Sequence, residues 1–160
     1  MDQTTSPIIL KSEDATANLA AKLAPLARPG DAICLEGTLG AGKTLFARHF
    51  IRKLTHADEP VPSPTYALLQ TYDGSSGPIA HFDLYRLEHE DELEEIGFFD
   101  CLDDAICLIE WPDRLGPDTP KDALLVQLEP DIVDENTRRL TLEWTAPKWN
   151  NRLKGVFDDV

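Results

Sequence analysis

The chain has 160 residues, 42% hydrophobic and 28% charged, which suits one domain with a real buried core. A formal net charge of −14 sets up a field that repels polyphosphate backbones, so direct binding to nucleic acid is disfavoured. No apolar run is long enough to cross a bilayer, and the opening MDQTTSPIIL has no basic segment before a long apolar one, so neither a membrane nor a secretory role is expected.

In chain order, SPIIL is short and β-branched and predicts a first strand. Ser12 then stands where a helix N-cap belongs, with Glu13 and Asp14 at the positive end of the helix dipole. Ala15, Leu19, Leu23 and Leu26 share one face of that helix, and Pro25 should end or kink it. AICLEG is continuously apolar, as in a strand covered on both faces. After a glycine cluster, TLFARHFIRKL predicts a helix with Phe46, Ala47, Phe50, Ile51 and Leu54 inward and Arg48, Arg52 and Lys53 outward. HADEPVPSPTY, with three prolines, reads as loop.

ALLQTY and IAHFDLYR flank DGSSGP, which predicts an antiparallel hairpin with a loop longer than the minimal turn. An acidic helix follows. Between Glu88 and Asp104 it carries nine carboxylates and no Lys or Arg, either as a solvated face or as a docking surface for a basic partner. AICLIEW reads as a second buried strand. DALLVQLEP and RRLTLEW flank DIVDENT, and Leu140, Leu142 and Trp144 alternate with Thr141 and Glu143. The fold class is therefore α/β, a mixed sheet with a parallel centre, an antiparallel edge and flanking helices. The three cysteines, Cys34, Cys101 and Cys107, lack C-x-x-C spacing, and they read as thiols of a reducing cytoplasm.

The chemistry centres on Gly37-Thr38-Leu39-Gly40-Ala41-Gly42-Lys43-Thr44, which fits G-x-x-x-x-G-K-[ST] between an apolar strand and an amphipathic helix. The glycines let successive backbone N–H groups converge on a bulky anion, and the helix N-terminus adds its partial positive charge. Leu39, Gly40, Ala41, Gly42, Lys43 and Thr44 are thus the candidate nucleotide-binding run. Lys43 supplies a point charge for the β- and γ-phosphates of ATP, and the Thr44 hydroxyl is a hard oxygen ligand for Mg²⁺. Hydrolysis needs a further metal-side carboxylate and a group to position water. Glu110, ending AICLIE, stands where a Walker B carboxylate sits. Asp83, on one strand face with His81 and Tyr85, is a second candidate. His81 either supports the Asp83 carboxylate or makes a structural hydrogen bond, while His49 and His56 read as surface residues.

GTLGAGKT, SPTY, HFDLYRL and IEWPDR, in that order, resemble the TsaE family, small P-loop ATPases of bacterial tRNA threonylcarbamoyladenosine modification. The likeness runs from the first strand to about Arg114. It implies a single P-loop ATPase domain over residues 1–160 that is Mg²⁺-dependent, cytoplasmic and weak without its partners. Those partners would be TsaB and TsaD, a heterodimer through which any contact with tRNA is made. No DNA or membrane partner is implied. By motif, Lys43 and Thr44 hold phosphate and metal, Glu110 is the metal-side carboxylate and Asp83 serves hydrolysis. Ser63, Pro64 and Thr65 match a loop that covers the phosphates, and Trp111 lies near the nucleotide or the partner. Ser12 becomes a nucleotide contact as well as a cap, and one of Arg138 and Arg139 approaches the nucleotide.

Three other readings compete. A small-molecule kinase, for example of nucleosides or nucleotides, fits the length but needs an arginine-rich lid, for which RHFIRKL is badly placed. A GTP switch would need N-K-x-D, which is missing. A non-catalytic module would use nucleotide only to stabilise a docking shape.

Overall fold

The computed structural model describes residues 3–38, 40–63 and 67–156. A two-residue strand β1 (Gln3–Thr4) precedes β2 (Ile8–Leu10), the strand expected over SPIIL, and both pair antiparallel with β8 (Arg138–Trp144). The apolar runs form β3 (Ala32–Glu36) and β6 (Ile106–Glu110), and β4 (Leu69–Gly74) with β5 (Gly77–Asp83) makes the hairpin. With β7 (Leu124–Pro130) the sheet order is β1-β8-β7-β3-β6-β5-β4.

The neighbours β7, β3, β6 and β5 run parallel. Antiparallel pairing, expected toward an edge, occurs on both flanks, because the β4–β5 and β7–β8 hairpins lie on opposite sides of the parallel centre. The β4–β5 turn is also tighter than expected. Gly74 pairs with Gly77, so only Ser75 and Ser76 lie between the strands, the shortest connection a hairpin commonly uses.

Alternation along the central strands sorts the core onto two faces. Ile33, Leu35, Ile106 and Leu108 pack with α1 (Glu13–Leu23) and α2 (Lys43–Leu54). Ala32, Cys34, Cys107 and Ile109 pack with Leu93, Phe98 and Leu115 on the other side. Every inward residue expected of α2, from Phe46 to Leu54, is buried. Full burial of Phe46 and Phe50 contributes on the order of 2–3 kcal/mol each. Ser12 caps α1 as expected: its hydroxyl accepts a hydrogen bond from the Ala15 N–H at 3.1 Å. At Pro25 the α-helix tightens into a 3₁₀ turn, Ala24–Leu26. Ala15 is only partly buried, and Thr16 and Ala20 complete the inner face instead.

The acidic segment is two short helices, α3 (Asp91–Glu95) and α4 (Phe98–Asp104), not one. Gly97 turns the chain between them so that Leu93 and Phe98 can both face the sheet while most of the carboxylates stay in water. All three cysteines are free, and burial pushes the thiols of Cys34 and Cys107 up to about 12. At the C-terminal end α5 (Lys148–Arg152) docks on the start of β3. Lys148 and Arg152 pair with buried Asp31 at 2.8 and 2.6 Å.

Candidate functional site

Parallel strands deliver their C-terminal ends to one edge of a sheet, which is where such folds place their sites. Here β3 leads into the glycine loop. Its neighbour β6 ends on Glu110, and the next strand β5 ends on Asp83 directly opposite Glu110. The loop closes onto α2 at Gly42, whose φ of 103° lies in the left-handed region that a side chain disfavours. A cavity of about 350 Å³ opens at this edge, and its walls include Ser12, Gly40, Gly42, Lys43, Thr44, Ser63, Asp83, Glu110, Trp111 and Arg138.

The structure thus brings Ser12, Gly40, Gly42, Lys43, Thr44, Asp83 and Glu110 to one hollow, although the sequence scatters them over about a hundred positions. Ala41 does not line it: the residue is fully buried beneath the loop, and its carbonyl accepts a hydrogen bond from Arg138 Nε at 3.1 Å. Leu39, Pro64 and Thr65 lie outside the described residues. Of the two arginines, Arg138 is the one at the cavity, with Nη2 3.2 Å from the Gly40 carbonyl, while Arg139 is opposite Ile9 and Glu129 in the sheet.

Four ionisable side chains are buried together: Lys43 at 5% exposure, Asp83 at 5%, Glu110 at 2% and His81 at 0%. Buried charge is tolerated only where it is paired and hydrogen-bonded. Lys43 Nζ donates to the Gly37 carbonyl at 2.6 Å and sits 3.3 Å from the centre of the Trp111 ring. Burial lowers its affinity for a proton, and the charges of Glu110, Asp83 and Asp113 oppose that effect in part. The Thr44 hydroxyl donates to Glu110 Oε1 at 3.0 Å. Asp83 accepts from the Tyr85 N–H at 3.1 Å and from the Ser63 hydroxyl at 3.5 Å.

His81 does not pair with Asp83, its neighbour along β5. Its Nε2 lies 2.6 Å from Glu110 Oε2 on the adjacent strand. Trp111 holds φ 60° and ψ 52°, left-handed for a residue that rarely adopts it, and its ring centre stands 4.9 Å from that of Tyr85.

Thr44 Oγ1 and Glu110 are hard oxygen donors on one cavity wall, a donor set suited to a divalent cation such as Mg²⁺. Among the described residues no group of three or more His, Cys, Asp or Glu is placed to hold a metal. Sequence reasoning missed Glu13, Thr16, Leu45 and Asn136 in the walls. Glu13 and Thr16 could have been found from Ser12, since they share the first turn of α1. Asn136 had no local signal.

Comparison with known proteins gives a consistent result. The family model described as threonylcarbamoyl adenosine biosynthesis protein TsaE matches residues 10–140. A relative from Rickettsia felis is 40% identical over 131 residues, 82% of this chain and 75% of that protein. One from Rickettsia conorii is 38% identical, covering 93% of this chain and 83% of its own. One from Aquifex aeolicus is 38% identical, covering 84% and 93%. Each of the three is named tRNA threonylcarbamoyladenosine biosynthesis protein TsaE. The crystal structure of Bacillus subtilis YdiB is similar in fold, with a TM-score of 0.77 and 25% identity over 98% of this chain and 95% of that one.

Proposed function

The chain belongs to the TsaE family of threonylcarbamoyl adenosine biosynthesis proteins, and on that premise we propose that it is the Mg²⁺-dependent ATPase subunit of tRNA threonylcarbamoyladenosine modification, working with the TsaB–TsaD heterodimer. One observation carries this reading. Directly behind the glycine loop, the first-turn hydroxyl of α2 and the strand-end carboxylate of β6 meet at 3.0 Å, Thr44 to Glu110, beside the Lys43 ammonium. A triphosphate tail drawn into the cavity would find backbone N–H groups at the start of α2 and a cation on its flank. Lys43, which rests on the Gly37 carbonyl and the Trp111 ring, is within its own side chain's swing of that tail.

Thr44 and Glu110 would hold the magnesium ion, which when bound neutralises charge developing on the transferred phosphoryl group. Asp83, buried beside Glu110, accepts a hydrogen bond from the hydroxyl of Ser63 at the start of the loop matched to phosphate covering. It is the candidate for orienting the attacking water. Ser12, which caps α1 and lines the same hollow, and Arg138, held on the loop carbonyls, flank the mouth.

The net charge of −14 keeps the isolated chain off tRNA, so contact with RNA comes through the partners. The proposed compartment is the reducing cytoplasm, which three free thiols support. The test is ATP turnover by the chain alone and with the TsaB–TsaD pair. Stimulation by the pair is expected. Glu110→Gln is expected to keep nucleotide and partner binding while losing about 10²–10³-fold in turnover, together with threonylcarbamoylation in a reconstituted reaction. A phosphorylated small molecule as product, or turnover indifferent to the pair, would favour the kinase reading instead.

A further inference from the structure

We propose that His81 is a positioning residue that fixes which oxygen of Glu110 is turned toward Thr44 and the metal position. The inference rests on the reading of the site as one that takes a magnesium nucleotide, and it adds a residue to that site which touches neither nucleotide nor metal.

The geometry begins with the strand register. In the parallel β5–β6 pair, His81 stands opposite Leu108 and Asp83 opposite Glu110. His81 is therefore the diagonal neighbour of Glu110 on the same sheet face, within reach of a long side chain. Its Nε2 meets Glu110 Oε2 at 2.6 Å, and both side chains are buried, at 0% and 2% exposure. The second oxygen, Oε1, accepts the Thr44 hydroxyl at 3.0 Å. The two oxygens of one carboxylate are thus given separate tasks, one bound inward to imidazole and one presented to the residue at the start of α2.

The other ring nitrogen decides the tautomer. His81 Nδ1 is buried and has no hydrogen-bond partner among the described residues. With its hydrogen on Nε2, the ring uses its donor on the carboxylate. With the hydrogen on Nδ1, an N–H would be buried without an acceptor, at a cost of about 1–3 kcal/mol, and a lone pair would face a carboxylate oxygen at 2.6 Å. The ring therefore donates from Nε2. Without that bond the terminal carboxylate torsion of Glu110, which is intrinsically broad, would have nothing behind it to define its orientation. Partners that orient ligating side chains in this way commonly carry about 10–100-fold in metal affinity.

The experiment uses the full chain and two probes: ADP in the presence of chelator, titrated by calorimetry, and Mn²⁺ with ADP, followed by the loss of the free-ion signal in electron paramagnetic resonance. His81→Leu removes the donor, and His81→Gln keeps an N–H at nearly the reach of Nε2. His81→Leu should bind metal-free ADP within about twofold of the parent and lose about 10–100-fold in Mn²⁺ affinity of the ADP complex, while His81→Gln should recover most of that loss.

If His81→Leu does not fold, His81→Asn against His81→Gln decides the matter, because the shorter amide stops short of Oε2. Asn weaker than Gln for Mn²⁺, at equal metal-free ADP affinity, is then the expected result. Equal Mn²⁺ affinity in parent and His81→Leu, or a loss of metal-free ADP affinity as large as the loss for Mn²⁺, would overturn the proposal and leave His81 a packing residue. A parent whose ADP binding ignores the metal altogether would instead overturn the reading of the site itself.

Discussion

Replacing Gly37 by alanine tests whether the loop is held by the sheet or merely follows it. A Cβ at this position would lie 2.4 Å from the backbone carbonyl oxygen of Leu128 and 3.0 Å from the Ala41 Cβ. The first distance is one that real Cβ atoms do not show, and the oxygen has little room to yield. Leu128 is fully buried in β7, where it pairs with Leu140 of β8. The loop must therefore give way, and overpacking of this kind costs about 1–3 kcal/mol. In a chain of this length that lowers the melting temperature by about 2–12 °C.

The same movement displaces the Gly37 carbonyl, to which Lys43 Nζ donates at 2.6 Å, so nucleotide affinity should fall at least about tenfold, or 1.4 kcal/mol. Gly42→Ala is the control. The nearest atom to its added Cβ is Arg138 Nε at 3.9 Å, an ordinary van der Waals contact with no clash. Only the left-handed backbone is penalised, by about 1–2 kcal/mol. Differential scanning fluorimetry and calorimetric titration with ADP read both quantities. A Gly37→Ala chain that melts and binds like the parent would refute the claim that β7 buttresses the loop.

Two further outcomes follow from the same packing. Asp31→Asn leaves Lys148 and Arg152, at 28% and 16% side-chain exposure, without their shared carboxylate. After allowing for that exposure it should cost about 2–3 kcal/mol, seen in urea denaturation, with ADP affinity unchanged because Asp31 stands at the opposite end of β3 from the glycine loop. The Cys34 and Cys107 thiols are raised from 9.0 to about 12 in the fold, so the folded chain holds protons there that the unfolded chain has released. Stability is full below pH 9 and falls between pH 9 and 12 by about 1.4 kcal/mol per pH unit for each thiol. Denaturation at pH 8 and pH 10 should show this fall, with a shallower slope in Cys34→Ala. In the native chain only Cys101 should react readily with a thiol reagent.

The elements of this fold are legible in the sequence where the signal is local. The α2 face from Phe46 to Leu54 follows from a period of 3.6, the Ser12 cap from one residue type at one boundary, and the buried strands from unbroken apolar runs. The departures share a different cause. Where the parallel block stops is decided by which strands meet across the sheet. Nothing within DALLVQLEP tells that β7 will lie parallel to β3 on one side and antiparallel to β8 on the other. The acidic segment misled for a related reason. Its composition predicts one helix, but Leu93 and Phe98 both pack on the sheet, and the left-handed Gly97 breaks the helix between them.

The candidate site shows the same division at the level of single atoms. Lys43, Thr44 and the loop glycines fall within eight consecutive positions, Gly37 to Thr44, so spacing alone groups them. Glu110 and Asp83 could be nominated one at a time, each as an acid at a strand end. That they stand side by side depends on β5 and β6 being adjacent with Asp83 in register with Glu110, a pairing 27 residues apart in sequence. The partner of His81 is the sharpest case. Read along its own strand, the face it shares with Asp83 makes Asp83 the natural partner. Residues two apart on one strand, however, are about 6–7 Å apart at a rise of 3.2–3.4 Å per residue. Across the sheet Glu110 is the diagonal neighbour of His81, about 7–8 Å away and so no nearer. The Glu110 side chain, however, is one methylene longer than that of Asp83 and spans the gap, while the Asp83 carboxylate accepts from the Tyr85 N–H and the Ser63 hydroxyl. The imidazole of His81 accordingly serves Glu110, and a motif written as H-x-D along the chain is in space a His–Glu pair with the aspartate beside it.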